Sequence, residues 1–147
     1  MNHVMVLNGP NLGRLGAREP EVYGQVEYQE LVQAVTVWAS ELGWVAEVYQ
    51  SDDEAELIDQ LHQAAQQGLA VIINPAAFTH YSYALRDAAA QVPVVIEVHL
   101  TNPAARETFR HNSVISGVVT GTIAVFGIDS YRLALQALAA GAASVAR

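Results

Sequence analysis

The chain alternates two hydrophobic rhythms from end to end. Apolar runs of buried-strand length at Val4–Leu7 and Leu69–Ile73, and largely apolar segments at Trp44–Tyr49, Val94–Val98 and Val118–Phe126, predict five strands. Between them stand stretches with helical spacing. In Tyr28–Leu42 the residues Leu31, Val35, Trp38 and Leu42 fall on one face, and Gly43 stops the helix. Ser51-Asp52-Asp53-Glu54 reads as a capping box that opens a helix burying Leu57, Ile58, Leu61 and Ala65 and ending at Gly68. Further helices are expected over Ser82–Ala90 and Asp129–Ala146. A short one after the fourth strand has Asn102 as N-cap and Pro103 at its first position.

Strand and helix alternating in this way imply a parallel sheet with helices on both faces. The expected architecture is a flavodoxin-like three-layer α/β fold. Its five-stranded parallel sheet has order 2-1-3-4-5 with right-handed crossovers, in a single domain over residues 1–147. Ligands of such sheets bind beyond the carboxyl ends of the strands, near the switch between the first and third. Polar residues collect at those ends: Asn8 and Asn11 after the first strand, Asn74 and His80 after the third, His99 after the fourth. The first strand breaks at Asn8-Gly9-Pro10-Asn11, and a loop punctuated by Gly13, Gly16, Pro20 and Gly24 then carries Arg14, Arg18 and Tyr23. Connections longer than about 12–15 residues are uncommon in compact domains unless they work as lids or binding segments. Residues 13–24 therefore read as a lid over a site for an anionic small molecule.

Charge and composition narrow the chemistry. At 147 residues the chain is long enough to bury about 68–70% of its unfolded surface without staples. It has no cysteine, which excludes disulfides and thiol catalysis. A net charge of −8 argues against a nucleic-acid partner, because phosphate binding needs a basic face. All seven basic residues are arginine, so Schiff-base chemistry and a lysine-dependent phosphate loop are both excluded. No apolar run reaches the roughly 20 residues of a membrane span, and the N-terminus lacks a basic flank. A soluble, cytoplasmic protein is expected. The 52% hydrophobic content is high for so small a soluble chain and points to subunit contacts.

Several residues have both a plain and a chemical reading. Tyr23 either caps apolar surface or acts as a phenolate, which nearby arginines favour against an ordinary pKa of about 10. Arg106 and Arg110, at i,i+4, either face solvent or reach the site beside His99 from one face of a short helix. Glu97 and His99 share one face of an extended segment, so the carboxylate fixes the imidazole's tautomer and raises its basicity; the alternative is a structural histidine. Glu97 ends an apolar strand, and burying it requires a partner. His80 either caps a helix or faces the site. His3, His62 and His111 show no partner pattern, and the histidines lack metal-ligand spacing, so no metal is expected.

Motifs spread along the whole chain resemble the type II 3-dehydroquinate dehydratases. They are Asn8-Gly9-Pro10-Asn11-Leu12, Leu15-Gly16, Arg18-Glu19-Pro20, Tyr23-Gly24, Gln50-Ser51, Asn74-Pro75, Thr79-His80, Ala84-Leu85-Arg86-Asp87-Ala88, Glu97-Val98-His99, Ala105-Arg106-Glu107 and Phe109-Arg110. The resemblance implies a hydro-lyase of the shikimate pathway. It would convert 3-dehydroquinate to 3-dehydroshikimate by anti elimination of water through an enolate, without metal or cofactor. By the same resemblance Tyr23 is the base, held as tyrosinate by Arg18 and Arg106, with Arg18 also stabilising the transition state. A water near Asn11 and the backbone around Pro10 and Ala77 would meet the enolate, and His99, oriented by Glu97, would protonate the leaving hydroxyl. Asn74 and the amides of Leu100 and Thr101 would clamp the carboxylate, while His80 and Arg110 bind ring hydroxyls. Asp87 would reach in from an adjacent subunit of a trimer, four of which form a dodecamer.

Four positions depart from the family pattern: Ala76 stands for a usual glycine, Tyr81 for a small threonine, and Asn112 and Ser130 also differ. Rival classes fit less well. A receiver module needs clustered acids after the first strand, and a nucleotide site needs a Gly-x-Gly-x-x-Gly turn; neither is present. A catalytically inactive relative acting as an assembly subunit is the third class, and turnover separates it from the enzyme.

Overall fold

The computed structural model describes residues 2–17 and 19–143. Five strands, β1 (Asn2–Asn8), β2 (Trp44–Gln50), β3 (Ala70–Asn74), β4 (Val95–Val98) and β5 (Gly121–Ile123), form one sheet. All pairings are parallel, in the order β2-β1-β3-β4-β5. The helices are α1 (Pro20–Tyr23), α2 (Tyr28–Glu41), α3 (Glu54–Gln67), α4 (Tyr83–Ala89) and α5 (Asp129–Ala139). Short 3₁₀ turns at Leu12–Arg14, Ala76–His80, Pro103–Ala105 and Thr108–His111 shape the strand-end loops. The fold is flavodoxin-like, with helices on both faces.

The period of two along each strand sorts the core into two layers. Val4, Val6, Ile72, Ile96 and Val98 face α2 and α5, against Leu31, Val35, Ala39, Ala134, Leu135 and Leu138. Met5, Leu7, Val71, Ile73 and Val95 face α3 and α4, against Leu57, Leu61, Ala64, Leu85 and Ala88. This alternation decides where polar residues at the strand ends go. Asn8 and Asn74 continue the first set, and Glu97 continues the second.

Several local expectations need correction. The N-cap of α3 is Asp53, whose side chain accepts from Ala55 N–H. Ser51 Oγ instead donates to Glu56 and accepts from Asp53 N–H, so Ser51 does not cap the helix. Leu42 is 38% exposed at the end of α2, and Ala39 is buried in its place. The fifth strand has three residues rather than nine, because Ile115 and Val119 turn inward to fill the α3/α4 core before it begins. The closing helix stops at Ala139, and its expected last residues, from Ser144 on, lie outside the described residues. Between residues 13 and 24 the chain is not one irregular loop, since α1 and the end of a 3₁₀ turn lie within it. Gly9 is required by close approach: a Cβ there would stand 2.6 Å from the Pro75 carbonyl oxygen.

Candidate active site

A cleft opens beyond the carboxyl ends of β1, β3 and β4. Asn11, Tyr23, Asn74, His80, His99, Leu100, Thr101, Arg106 and Arg110 all line it, together with Pro10, Leu12, Ala76, Ala77 and Pro103. Asn8 does not: it is fully buried beneath the floor. Arg14 points elsewhere, and Arg18 lies outside the described residues. Asp87 is on the exposed side of α4, paired with Arg86 at 3.5 Å, away from this chain's own cleft.

The His99 side is built on a buried charge. Glu97 is fully buried at the end of β4, among aliphatic residues, and both its oxygens are satisfied. His99 Nε2–H and Thr79 Oγ1–H donate to Oε2 at 2.6 and 2.5 Å, and Ser116 Oγ–H donates to Oε1 at 2.8 Å. Because the Thr79 proton goes to Glu97, Ser113 Oγ donates in turn to Thr79 at 2.8 Å. Burial works against the Glu97 charge, but the bond and charge of His99, helped by Thr79 and Ser116, outweigh it and hold the carboxyl below the usual range. An ionised carboxylate only accepts, so Nε2 of His99 is the protonated nitrogen and Nδ1 is the one left for other partners. Neither Thr79 nor Ser113 and Ser116 carries a local sign of this role, since all three are joined to Glu97 only by the fold.

Across the cleft the Arg106 guanidinium carbon stands 5.0 Å from the centre of the Tyr23 ring. Arg106 also reaches Thr101 Oγ1 at 3.4 Å and Glu19 at 4.0 Å. Arg106 and Arg110 do not share a helix. Arg106 follows the Pro103–Ala105 turn, and Arg110 lies within the Thr108–His111 turn, fixed by Glu107 at 3.0 Å. His80 closes its 3₁₀ turn rather than opening a helix. Its Nδ1 sits 2.6 Å from the carbonyl of Asn112, an acceptor, so Nδ1 carries the proton and Nε2 is available. Asn11 adopts a left-handed φ of 70°, and its N–H donates to Asp52 Oδ1 at 2.9 Å, with Asp52 also accepting from Gln50. Tyr81 does not crowd the cleft: it is exposed and packs edge-on against Phe78. Ser130 is buried and donates to the His99 carbonyl at 3.1 Å. Among the described residues no group of His, Cys, Asp and Glu is placed to hold a metal ion.

The family model for class II dehydroquinase matches residues 2–139. The chain belongs to the class II dehydroquinase family. It is thus an enzyme, a hydro-lyase. A 3-dehydroquinate dehydratase of Salinispora tropica is 54% identical over 140 residues, covering 95% of this chain and 98% of that protein. One of Bacillus licheniformis is 50% identical and covers 92% of this chain and 94% of its own length. The crystal structure of a type II dehydroquinase from Propionibacterium acnes superposes with a TM-score of 0.94 at 49% identity, covering 95% of this chain and 97% of the other. The chain carries its polar groups at the β1/β3 switch, where an open α/β sheet binds ligands.

Proposed function

We propose that the cleft removes water from 3-dehydroquinate to give 3-dehydroshikimate by an anti elimination through an enolate, with Tyr23 as base and His99 as acid. The observation that carries this reading is one cleft lined both by a phenol under a guanidinium and by a histidine held on a buried carboxylate. Arg106, whose guanidinium lies over the Tyr23 ring, and Arg18 support the base, and Arg18 also stabilises the transition state. Tyr23 takes the proton α to the ketone. The enolate is met by a water near Asn11 and the backbone around Pro10 and Ala77. His99, doubly protonated against Glu97, gives a proton to the departing hydroxyl and returns to neutral. The chain has no lysine, so the elimination runs without an imine on the protein.

Asn74 and the Leu100 and Thr101 amides hold the substrate carboxylate; His80, through Nε2, and Arg110 hold ring hydroxyls. Residues 13–24 close over the bound substrate as a lid on a single catalytic domain. Asp87 completes the site of a neighbouring subunit in a trimer, and four trimers form a dodecamer. The exposed rings of Tyr81 and Tyr83, 58% and 70% accessible on the segment leading to Asp87, support that contact. A cytoplasmic location fits the pathway role, and among the described residues no helix is long and apolar enough to cross a membrane.

Turnover of 3-dehydroquinate by the purified chain, followed by the ultraviolet absorbance of the conjugated product, tests the activity. Tyr23→Phe tests the mechanism: kcat should fall by orders of magnitude with KM nearly unchanged, since only the base is lost. Near-normal kcat in that variant would remove Tyr23 as the base.

A further inference from the structure

Below the cleft, on the α2/α5 face, a buried polar cluster joins Asn74 to residues that the proposed elimination does not use. Asn8 and Asn74 are register partners at the ends of β1 and β3, and both are buried. Tyr131, in the first turn of α5, is fully buried and sets its hydroxyl between them. The Tyr131 hydroxyl donates to Asn8 Oδ1 at 2.6 Å and accepts from Asn74 Nδ2 at 3.1 Å. Asn8 Nδ2 donates to the Tyr49 carbonyl at 3.2 Å, and Asn74 Oδ1 accepts from Ala76 N–H at 3.1 Å.

Both ends of this chain of bonds are main-chain groups of fixed character. The Ala76 N–H can only donate and the Tyr49 carbonyl can only accept, so every proton between them points one way. The Asn74 amide is held at its oxygen by Ala76 and at one N–H by Tyr131. What remains for a ligand in the cleft that Asn74 lines is its second N–H. A donor suits a carboxylate, whereas a carbonyl oxygen turned to the same place would repel one.

We infer that Tyr131 is a positioning residue: through the buried relay Tyr49–Asn8–Tyr131–Asn74 it locks Asn74 as a hydrogen-bond donor toward the substrate carboxylate. This rests on the substrate proposed above. Asn74 touches substrate, and Tyr131 acts only through it. Along the chain Tyr131 falls on the same helix face as Ala134, Leu135 and Leu138, so its spacing marks it only as core.

Kinetics of Tyr131→Phe in the full chain test the inference. Phenylalanine keeps the ring in the core and removes only the hydroxyl. KM for 3-dehydroquinate should rise about tenfold, the scale of one hydrogen bond to a charged acceptor, while kcat stays within about threefold. Asn8→Leu cuts the relay one link further from the substrate and should raise KM about threefold, so it decides the matter if Tyr131→Phe does not fold. The Tyr131→Phe/Asn74→Ala double variant should have a KM no higher than Asn74→Ala alone, since no amide remains to be positioned. General loosening of the core would not produce that non-additivity. Unchanged KM in both single variants, a loss confined to kcat, or full additivity with Asn74→Ala would each overturn the inference while wild-type turnover stands. Absence of wild-type turnover would instead sink the proposed function, and the inference with it.

Discussion

On the α3/α4 face of the sheet the cleft rests on a charge; on the α2/α5 face it rests on neutral groups. Glu97 gathers His99, Thr79 and Ser116 around a buried carboxylate. Asn8, Asn74 and Tyr131 satisfy one another with amides and a hydroxyl. Both clusters sit at strand ends and both are buried, yet they suit different work. A carboxylate against an imidazole lets a proton be given up and replaced, because the cation that forms is stabilised where it forms. A neutral relay anchored by main-chain groups at both ends has no proton to give and only one arrangement, which suits it to holding a binding group still. In the proposed elimination the same sheet edge thus separates moving a proton from fixing an orientation.

The largest expected effect comes from removing the charge while keeping its shape. Glu97→Gln should lower kcat by about 10²–10⁴, the usual worth of a positioned acid or base, with KM changed far less. Equal losses of kcat in Glu97→Gln and Tyr131→Phe would erase the distinction between the clusters.

The two clusters should also fail at opposite ends of the pH scale. The folded-state pKa of Glu97 is lowered, so its contribution to stability is present above the ordinary carboxylate value of about 4.3 and is lost as pH falls through the folded value. Tyr131 is shifted the other way: burial pushes its phenol well up, and Tyr28 beside it is also raised by burial. The Tyr131 contribution is present below about pH 10 and is lost as pH rises beyond that, when the unfolded chain ionises first. Melting temperature against pH should therefore have a shallower acid limb in Glu97→Gln and a shallower alkaline limb in Tyr131→Phe, with Tyr28 leaving part of the latter. A Tyr131→Phe profile that parallels the wild type above pH 10 would break the contrast.

A smaller effect tests how fully the carboxylate is satisfied. Ser116→Ala leaves Glu97 Oε1 without its hydroxyl donor at 2.8 Å and should cost about 1–3 kcal/mol, read by denaturant unfolding. Loss within error would mean that water replaces the hydroxyl.

The charged cluster was partly legible in the sequence and the neutral one was not, for a physical reason. Glu97 and His99 are two residues apart, so strand periodicity alone puts them on one face, and an acid ending an apolar run needs a partner. The partners of Asn8 and Asn74 come from parallel pairing and from a helix 123 residues beyond Asn8, which no local pattern encodes. Sheet order and both helix layers followed from hydrophobic rhythm, because each buried face leaves a periodic trace. The fifth strand was overextended for the complementary reason. Val118–Phe126 is apolar at both ends around Thr120-Gly121-Thr122, but Val119 packs under the sheet and Val125 takes a positive φ of 89°, which ends extended structure. Arg106 and Arg110 reach one cleft although the helix expected to carry them is two separate turns.

The smallest expected effect lies at the end of the neutral relay. Ala76, whose N–H holds the Asn74 oxygen, has a φ of +52°, in the left-handed region where a Cβ crowds the following carbonyl. Glycine adopts this conformation without that cost. Ala76→Gly relieves the strain but gives the unfolded chain more freedom, and for an alanine at positive φ the first effect is the larger. The variant should gain up to about 1 kcal/mol, or roughly 2–4 °C in melting temperature for a chain of this size. The N–H is unchanged, so the Asn74 amide should keep its orientation and KM should stay within about twofold. A fall in melting temperature would show that the alanine methyl, which packs against the α2/α5 core, is worth more than the strain it carries. A rise in KM at higher stability would mean that the strained turn itself, and not only the Tyr131 hydroxyl, sets the direction of the Asn74 donor.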